Sequence, residues 1–301
     1  MTLQQLRQVL TIAESNSMNE AAKKLFVSQP NLSATVREVE EELGITVFMR
    51  NNRGITVTAE GEEFLGYAKQ VVEQYHLLEN RYLNVESKKK FSVSMQHYSF
   101  AVKAFVQLAK EVGMDEYEFA VHETKTKEVI DNVKKLKSEI GVLYLSDFNE
   151  KVLRKLFKEC DIEFKELFTC NTYVYLWKKH PLAGQKEITL DDLQEYPCLT
   201  FEQGVNNSFY YAEEMMSTYE YKRVIKADDR ATMLNLMVGL NGFTLCSGII
   251  SEDLNGDDYA AIPLKESEIM HIGYIKHKGT KLSKLGEIYI DALKNYENKV
   301  L

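Results

Sequence analysis

The sequence predicts an α/β protein in three parts: a small helical head closed by a β-hairpin, one long helix, and a two-lobed region of alternating strands and helices. Three observations carry this. Apolar residues recur at helical spacing between capping residues up to Gly44, a seven-residue repeat runs from Phe64 to Val85, and from Phe91 short apolar strands alternate with helical stretches. At 301 residues the chain has room for two or three units of about 100 to 150 residues each.

Composition narrows the function classes. Lys and Arg number 37 against 45 Asp and Glu, a net charge of −8, with 45% hydrophobic residues and four prolines. This is an ordinary globular composition, and its acid excess argues against a protein that coats nucleic acid. Residues 1–90 hold 11 basic and 12 acidic side chains, so most of the excess lies beyond them. Any DNA contact in the head is then local and geometric. No run approaches the roughly 18 apolar residues of a membrane span. The opening Met1-Thr2-Leu3-Gln4-Gln5-Leu6-Arg7 lacks the basic patch and apolar core of an export signal. Both points predict a cytoplasmic protein with no membrane partner. Cys160, Cys170, Cys198 and Cys246 lie far apart without a C-x-x-C pair, predicting free thiols, no disulfide framework and no metal site.

In the head, Leu6, Val9, Leu10 and Ala13 mark the apolar stripe of a first helix. Ser17-Met18-Asn19-Glu20 reads as a capping box opening a short second helix that ends near Leu25. Ser28 can cap a third helix, in whose first turn Pro30 loses no helical hydrogen bond. Leu32, Val36, Val39 and Leu43 give its buried face and Gly44 ends it; Pro30, Ser33, Ala34 and Arg37 are expected on the opposite face. Two helices joined this closely fit a helix-turn-helix, whose second member can enter a major groove with Gln29 and Arg37 reaching base edges or phosphates. Val47-Phe48-Met49-Arg50, the turn Asn51-Asn52-Arg53-Gly54, and Ile55-Thr56-Val57-Thr58 read as a hairpin with a basic tip. Such a wing would lay Arg50 and Arg53 against phosphates.

The run Ala21-Ala22, Leu25, Val27-Ser28-Gln29-Pro30, Leu32-Ser33, Val39-Glu40-Glu41-Glu42-Leu43-Gly44, Phe48-Met49-Arg50, Arg53-Gly54, Thr58-Ala59-Glu60-Gly61 resembles the N-terminal signature of LysR-type transcriptional regulators, densely over about the first 65 residues. The resemblance implies a winged helix-turn-helix, a long linker helix, and a C-terminal two-lobed α/β effector domain like a periplasmic binding protein. It carries the family's DNA-reading positions onto Gln29, Pro30, Ser33 and Arg37, with Arg50 and Arg53 in the wing; Ser28 and Asn31 complete the candidate set. Thr35 departs from the glutamine that many members have there, which bears on site preference.

Thr58 can cap a helix that continues without proline to about Val85. Its residues Phe64, Ala68, Val71, Tyr75, Leu78, Tyr82 and Val85 alternate at spacings of four and three, a heptad seam that predicts pairing with a second copy. A homodimer, or a homotetramer built from dimers, would match a two-fold operator and double the phosphate contacts of a near-neutral head. Lys88-Lys89-Lys90 reads as a solvated hinge.

Beyond it, strands are expected at Phe91 to Met95, Glu118 to His122 and Ile140 to Leu145, with helices near Phe100 to Glu111 and Lys127 to Leu136. A second set has strands at Tyr173 to Trp177, Cys198 to Phe201, Lys222 to Ala227 and Phe243 to Cys246, and helices around Tyr210 to Thr218 and from Arg230. A strand near Met270 to Ile275 and a helix from Leu282 to Asn295 return to the first lobe. Such alternation predicts largely parallel sheets. The expected boundaries are a DNA-binding head at 1–58, a linker helix at 59–87 and an effector domain at 91–301, its first lobe 91–162 plus 267–301 and its second 163–266. Lys179-His180-Pro181-Leu182 and Val238-Gly239-Leu240-Asn241-Gly242-Phe243 extend the family resemblance loosely into the second lobe.

Ligands of open α/β sheets lie beyond strand C-termini, where helix N-termini offer backbone donors to anions. The loops expected there nominate His97, Tyr98, Ser99, Thr124, Lys125, Thr126, Thr200, Phe201 and Ser247 as effector contacts, suited to a small carboxylate such as an amino acid or organic acid. No G-x-S-x-G elbow, phosphate loop or H-E-x-x-H spacing suggests an enzyme, and no catalytic residue, metal or cofactor is expected. His97, Ser99 and Glu123 could be drawn as a catalytic set, but nothing in the sequence links them. An exported solute-binding protein would have no use for the head, and redox sensing through Cys160 and Cys170 is the alternative kept within regulation. The partners expected are double-stranded promoter DNA, a small effector, further copies of the chain, and RNA polymerase.

Overall fold

The computed structural model describes residues 1–15, 17–51, 54–82, 88–113, 116–206 and 208–296, apart from the side chains of 50, 51, 54, 80–82 and 252. It divides into two compact units, Met1–Ser87 and Lys88–Leu301.

The first unit contains α1 (Leu3–Ala13), α2 (Met18–Lys24), α3 (Gln29–Leu43), the hairpin strands β1 (Phe48–Asn51) and β2 (Gly54–Val57), and α4 (Ala59–Tyr82). Short-range capping sets most of its helix limits. Thr2 and Gln5 form a reciprocal capping box, Ser17 accepts from the Glu20 N–H, and Ser28 accepts from the Asn31 N–H. Gly44 ends α3 at φ 70°, a left-handed conformation in which a side chain would be strained. Val9, Ile12, Ala21, Leu32, Val39 and Val47 form the core. The Glu40 carboxylate accepts from the N–H groups of Val47 and Phe48 at 2.7 and 3.0 Å, fixing the hairpin to α3. Thr58 accepts from the Gly61 N–H at 2.9 Å at the start of α4. A Cβ at Gly61 would stand 2.3 Å from the Val47 carbonyl oxygen, so only glycine lets helix and hairpin approach this closely.

The second unit opens with β3 (Lys89–Met95), α5 (Ser99–Val112), β4 (Tyr117–Glu123), α6 (Thr126–Lys134), β5 (Ile140–Leu145), α7 (Glu150–Glu159) and β6 (Ile162–Cys170). It continues with β7 (Tyr173–Trp177), β8 (Cys198–Phe201), β9 (Val224–Ala227), α8 (Arg230–Leu240), β10 (Thr244–Cys246), α9 (Glu252–Asn255), β11 (Tyr259–Pro263), β12 (Met270–His277) and α10 (Lys284–Lys294). The first lobe is a five-stranded sheet in the order β4-β3-β5-β12-β6. Every residue of β5 is buried, and alternate side chains serve different cores: Ile140, Val142 and Tyr144 pack with residues of α5 and α10, Leu143 and Leu145 with α6 and α7. The second lobe has an antiparallel β10-β7-β11 sheet and a parallel β8-β9 pair, linked by a bridge between Cys198 and Phe243.

Several expectations need correction. The five-stranded sheet is mixed and the β10-β7-β11 sheet antiparallel, rather than largely parallel: β12 runs antiparallel to both β5 and β6, and β10 and β11 run antiparallel to β7. Strands β3, β5 and β6 all point toward the second lobe, and β12 returns from it, so its direction must be opposite. The lobe boundary expected at 163 falls inside the first sheet: β6 pairs with β12 from Ile162 with His277 to Cys170 with Met270, and the chain crosses after Cys170. The helix expected around Tyr210 to Thr218 is a single 3₁₀ turn, Phe209–Tyr211, followed by turns. The carbonyls of Tyr211 and Ala212, which would serve such a helix, instead accept from the hydroxyls of Thr126 and Tyr144 in the first lobe. Lys89 and Lys90 belong to β3, paired with Tyr117 and Glu118, and are not a hinge. Neither α7 nor β11 was anticipated.

Candidate functional site

In the first unit, the start of α3 displays exposed Ser28, Pro30 and Asn31, with Gln29 half-buried and Arg37 exposed one face further along. Arg37 has no ion pair among the described residues. Ser33, expected on the outer face, is 7% exposed. It adjoins Leu32 and Val36 on the buried arc and accepts from the Gln29 side-chain amide at 2.8 Å, which also restrains Gln29. Arg50 stands in β1 opposite Ile55; its side chain, like Arg53 and the side chain of Tyr82, lies outside the described residues.

The expected seam on α4 divides in two. Ala68 is buried and Phe64 packs against the head core, so both are used within the chain. Val71, Tyr75 and Leu78 are exposed, with Tyr67 and Leu77 beside them. The Arg7 guanidinium lies 5.3 Å over the Tyr75 ring and is paired with Glu79 at 3.3 Å, holding this part of α4 against α1.

In the second unit a cavity of about 90 Å³ lies between the lobes. Five of the nine expected effector residues line it: His97, Tyr98, Ser99, Phe201 and Ser247. Thr124, Lys125, Thr126 and Thr200 do not. Thr126, 1% exposed, is consumed by the protein itself: its hydroxyl accepts from Gln96 at 2.6 Å and donates to the Tyr211 carbonyl at 2.7 Å, and its N–H donates to Gln203 at 3.1 Å. Lys125 pairs with Asp228 at 3.4 Å, Thr124 donates to Glu128, and Thr200 pairs with Lys226 in the β8-β9 ladder.

Among the lining residues that the sequence did not single out are Glu213, Glu214, Arg230 and Thr244. One Glu213 oxygen accepts from the His97 N–H at 2.9 Å and lies 2.8 Å from its Nδ1, while the other accepts from the Gln203 amide at 2.9 Å. The imidazole stacks on Phe201 at 3.7 Å, with ring planes 5° apart. Burial, and then the neighbouring Glu213 charge, push the Glu214 carboxyl from its ordinary 4.5 up to about 8. Glu214 is therefore mostly protonated at neutral pH, and it accepts from the Phe201 N–H at 2.8 Å. Arg230 pairs with Glu123 across the lobes. The Thr244 hydroxyl is buried without a hydrogen-bond partner among the described residues. The one sequence signal for the acids was an adjacent pair of glutamates before Met215 and Met216, in a stretch that resembled an ordinary amphipathic helix.

Among the described residues no side chain caps α5, which begins at Ser99 on the cavity wall, so the N–H groups of Ser99 and Phe100 and the positive dipole end stand next to the cavity. Met233, Met237, Ile249 and Met270 form an apolar floor. An apolar chamber with hydroxyl and amide donors on one side suits a small anion with a short hydrocarbon body.

Cys160 precedes β6 and Cys170 is its last residue, with Ile162 to Cys170 alone spanning roughly 26 Å at about 3.3 Å per residue. That is far beyond the roughly 7 Å limit between Cα atoms for a disulfide. Burial raises both thiols, Cys170 to about 12, so the paired-cysteine reading fails on distance and on reactivity. Among the described residues no cluster of His, Cys, Asp or Glu could hold a metal ion, and no helix is long and apolar enough to cross a membrane.

Comparison with known proteins agrees with this architecture. The family of bacterial regulatory helix-turn-helix proteins, lysR family, matches residues 3–62, and the LysR substrate binding domain matches residues 114–297. The HTH-type transcriptional regulator CysL of Bacillus subtilis is 25% identical over 309 residues, covering 98% of each chain. BsdA, another HTH-type transcriptional regulator of that organism, is 27% identical over 247 residues, 79% of this chain and 80% of the relative. Full-length OxyR from Pseudomonas aeruginosa superposes with a TM-score of 0.71 at 19% identity, covering 98% of this chain and 95% of that one. LysG from Corynebacterium glutamicum, solved with bound effector Arg, gives 0.65 at 14% identity, covering 100% and 99%. At these identities the solved structures establish the fold, and the matched domains establish the family. The chain belongs to the lysR family and is a DNA-binding transcriptional regulator with an effector-binding domain.

Proposed function

We propose that this regulator binds double-stranded promoter DNA as a homodimer or homotetramer in the cytoplasm, senses a small carboxylic acid in the cavity between its lobes, and acts on transcription through RNA polymerase without catalysing a reaction. Ser28, Gln29, Pro30, Asn31 and Arg37 read the major groove, Ser33 positions Gln29 from the buried side, and Arg50 and Arg53 hold phosphates beside it. Val71, Tyr75 and Leu78 supply the pairing surface on α4.

One observation carries the ligand assignment: Thr244, whose buried hydroxyl has no partner among the described residues, lies in the wall of the same cavity as Ser99 at the start of α5, where no described side chain caps the helix. A buried donor without an acceptor is costly, and a carboxylate placed there would satisfy it together with the first-turn N–H groups. The cavity of about 90 Å³ is smaller than the roughly 150 Å³ that holds a benzene ring, so the body of the acid is a short aliphatic chain. Differential affinity for two arrangements of the lobes is then what couples the ligand to DNA binding.

The test is a thermal-shift screen of short-chain carboxylic and amino acids on the full chain, repeated on Ser99→Ala. The best acid should raise the melting temperature of the native protein and lose most of that shift in the variant. An undiminished shift in Ser99→Ala would move the ligand elsewhere. Arg37→Ala should weaken DNA binding and relax sequence preference; unaltered binding would remove α3 from the groove.

A further inference from the structure

Phe26 is 96% exposed, although Leu25 and Val27 on either side of it pack against the head core. It is also held at φ 55°, a left-handed conformation that disfavours a side chain. The backbone hydrogen bonds show why. Leu25 caps α2, the Phe26 N–H donates to the Lys23 carbonyl at 3.3 Å, and the Val27 N–H donates to the Ala22 carbonyl at 3.1 Å. That pair of bonds is the Schellman ending of a helix, in which glycine is the favoured residue at the position Phe26 occupies. The fold of the head thus gains nothing from the phenyl ring, which is neither buried nor conformationally suited to its place. Two residues later comes Ser28, followed by exposed Pro30 and Asn31 at the start of the helix assigned above to the groove.

We propose that Phe26 is a DNA-contact residue whose ring is buried against the apolar surface of the duplex, a thymine methyl or the edge of a deoxyribose, when α3 enters the groove. This rests on the placement of α3 in the groove. DNA is the partner because the ring is continuous along the chain with the reading surface and offers no hydrogen bond, so its contribution must come from excluded water. The contact adds affinity without adding charge, which suits a head whose net charge is close to zero.

The experiment uses the full chain and a duplex that it selects from a random-sequence pool. Phe26→Gly and Phe26→Asn fit the left-handed position better than phenylalanine, so both variants should melt no lower than the native protein and bind the duplex about ten-fold or more weakly, the effect of losing one buried ring. The slope of log affinity against log salt concentration should not change, since no phosphate contact is lost. Uracil is then substituted for thymine at each position in turn. A position that weakens the native protein but not Phe26→Gly identifies a methyl contact. No such position, with the ten-fold loss intact, identifies the sugar edge.

Unchanged affinity in both variants would overturn the proposal, as would weakened binding accompanied by a lower melting temperature or a shallower salt slope. Arg37→Ala serves as the reference. If it weakens binding while Phe26→Gly does not, this contact alone is wrong; if neither does, the placement of α3 is wrong.

Discussion

The buried Glu214 makes the stability of the effector domain fall as the solution becomes more alkaline, and Glu214→Gln should remove that fall. In the folded chain the carboxyl titrates near 8 against an ordinary value of 4.5, with burial as the main cause and the Glu213 charge next. Between those two values the native state holds a proton that the unfolded chain has released. Unfolding therefore becomes easier as pH rises, and the stabilisation is complete only below the unfolded value. Each pH unit in this window is worth about 1.4 kcal/mol, so a rise from pH 5.5 to 8 removes about 3 kcal/mol. Glutamine keeps the acceptor that receives the Phe201 N–H but does not titrate. The assay is urea unfolding followed by tryptophan fluorescence. The single tryptophan, Trp177, lies in β7 and reports on the second unit alone. With a slope of about 1–3 kcal/mol per molar urea, the native midpoint should fall by roughly 1 to 3 M more than that of the variant across this range. Parallel pH profiles for the two proteins would refute the reasoning, because they would mean that Glu214 is already ionised inside the fold.

Three further outcomes follow from the packing. Gly61→Ala places a methyl 2.3 Å from the Val47 carbonyl oxygen and should destabilise the head by about 1–3 kcal/mol, seen as a lower melting temperature in differential scanning calorimetry. Leu78→Asp puts a charge on the exposed face of α4 and, if that face pairs as proposed, should lower the oligomeric state in sedimentation velocity while leaving the fold of both units unchanged. Thr244→Val removes a buried hydroxyl that has no partner among the described residues and should stabilise the ligand-free protein by about 1 kcal/mol while weakening binding of the proposed carboxylic acid. Titration calorimetry beside urea unfolding separates these opposite effects.

The head was legible because its signals act over a few residues. Ser17, Ser28 and Gly44 each cap or end a helix through a partner within four positions, so spacing alone locates them. Ser33 was misplaced because it sits at the edge of the buried arc, where one residue of rotation separates core from surface. The second unit was harder because its geometry depends on distant pairings. Nothing near Ile162 to Cys170 announces that this strand belongs with Met270 to His277, about a hundred positions away. Likewise Thr126 is a plausible ligand donor in its own loop, and only the arrival of Gln203 and Tyr211 from the other lobe removes it from that role. Glu213 and Glu214 enter the cavity for the same reason: Tyr144 and Thr126 hold the 211–214 segment out of a helix and against the first lobe.

Nuclease footprinting of the selected duplex by the full chain, without and with a saturating concentration of the best-binding carboxylic acid, tests most directly whether the cavity governs the DNA-bound state. The footprint should change in length or in its hypersensitive sites for the native protein and stay fixed for Ser99→Ala. An acid that fills the cavity yet leaves the native footprint and affinity unaltered would contradict the coupling between the two units.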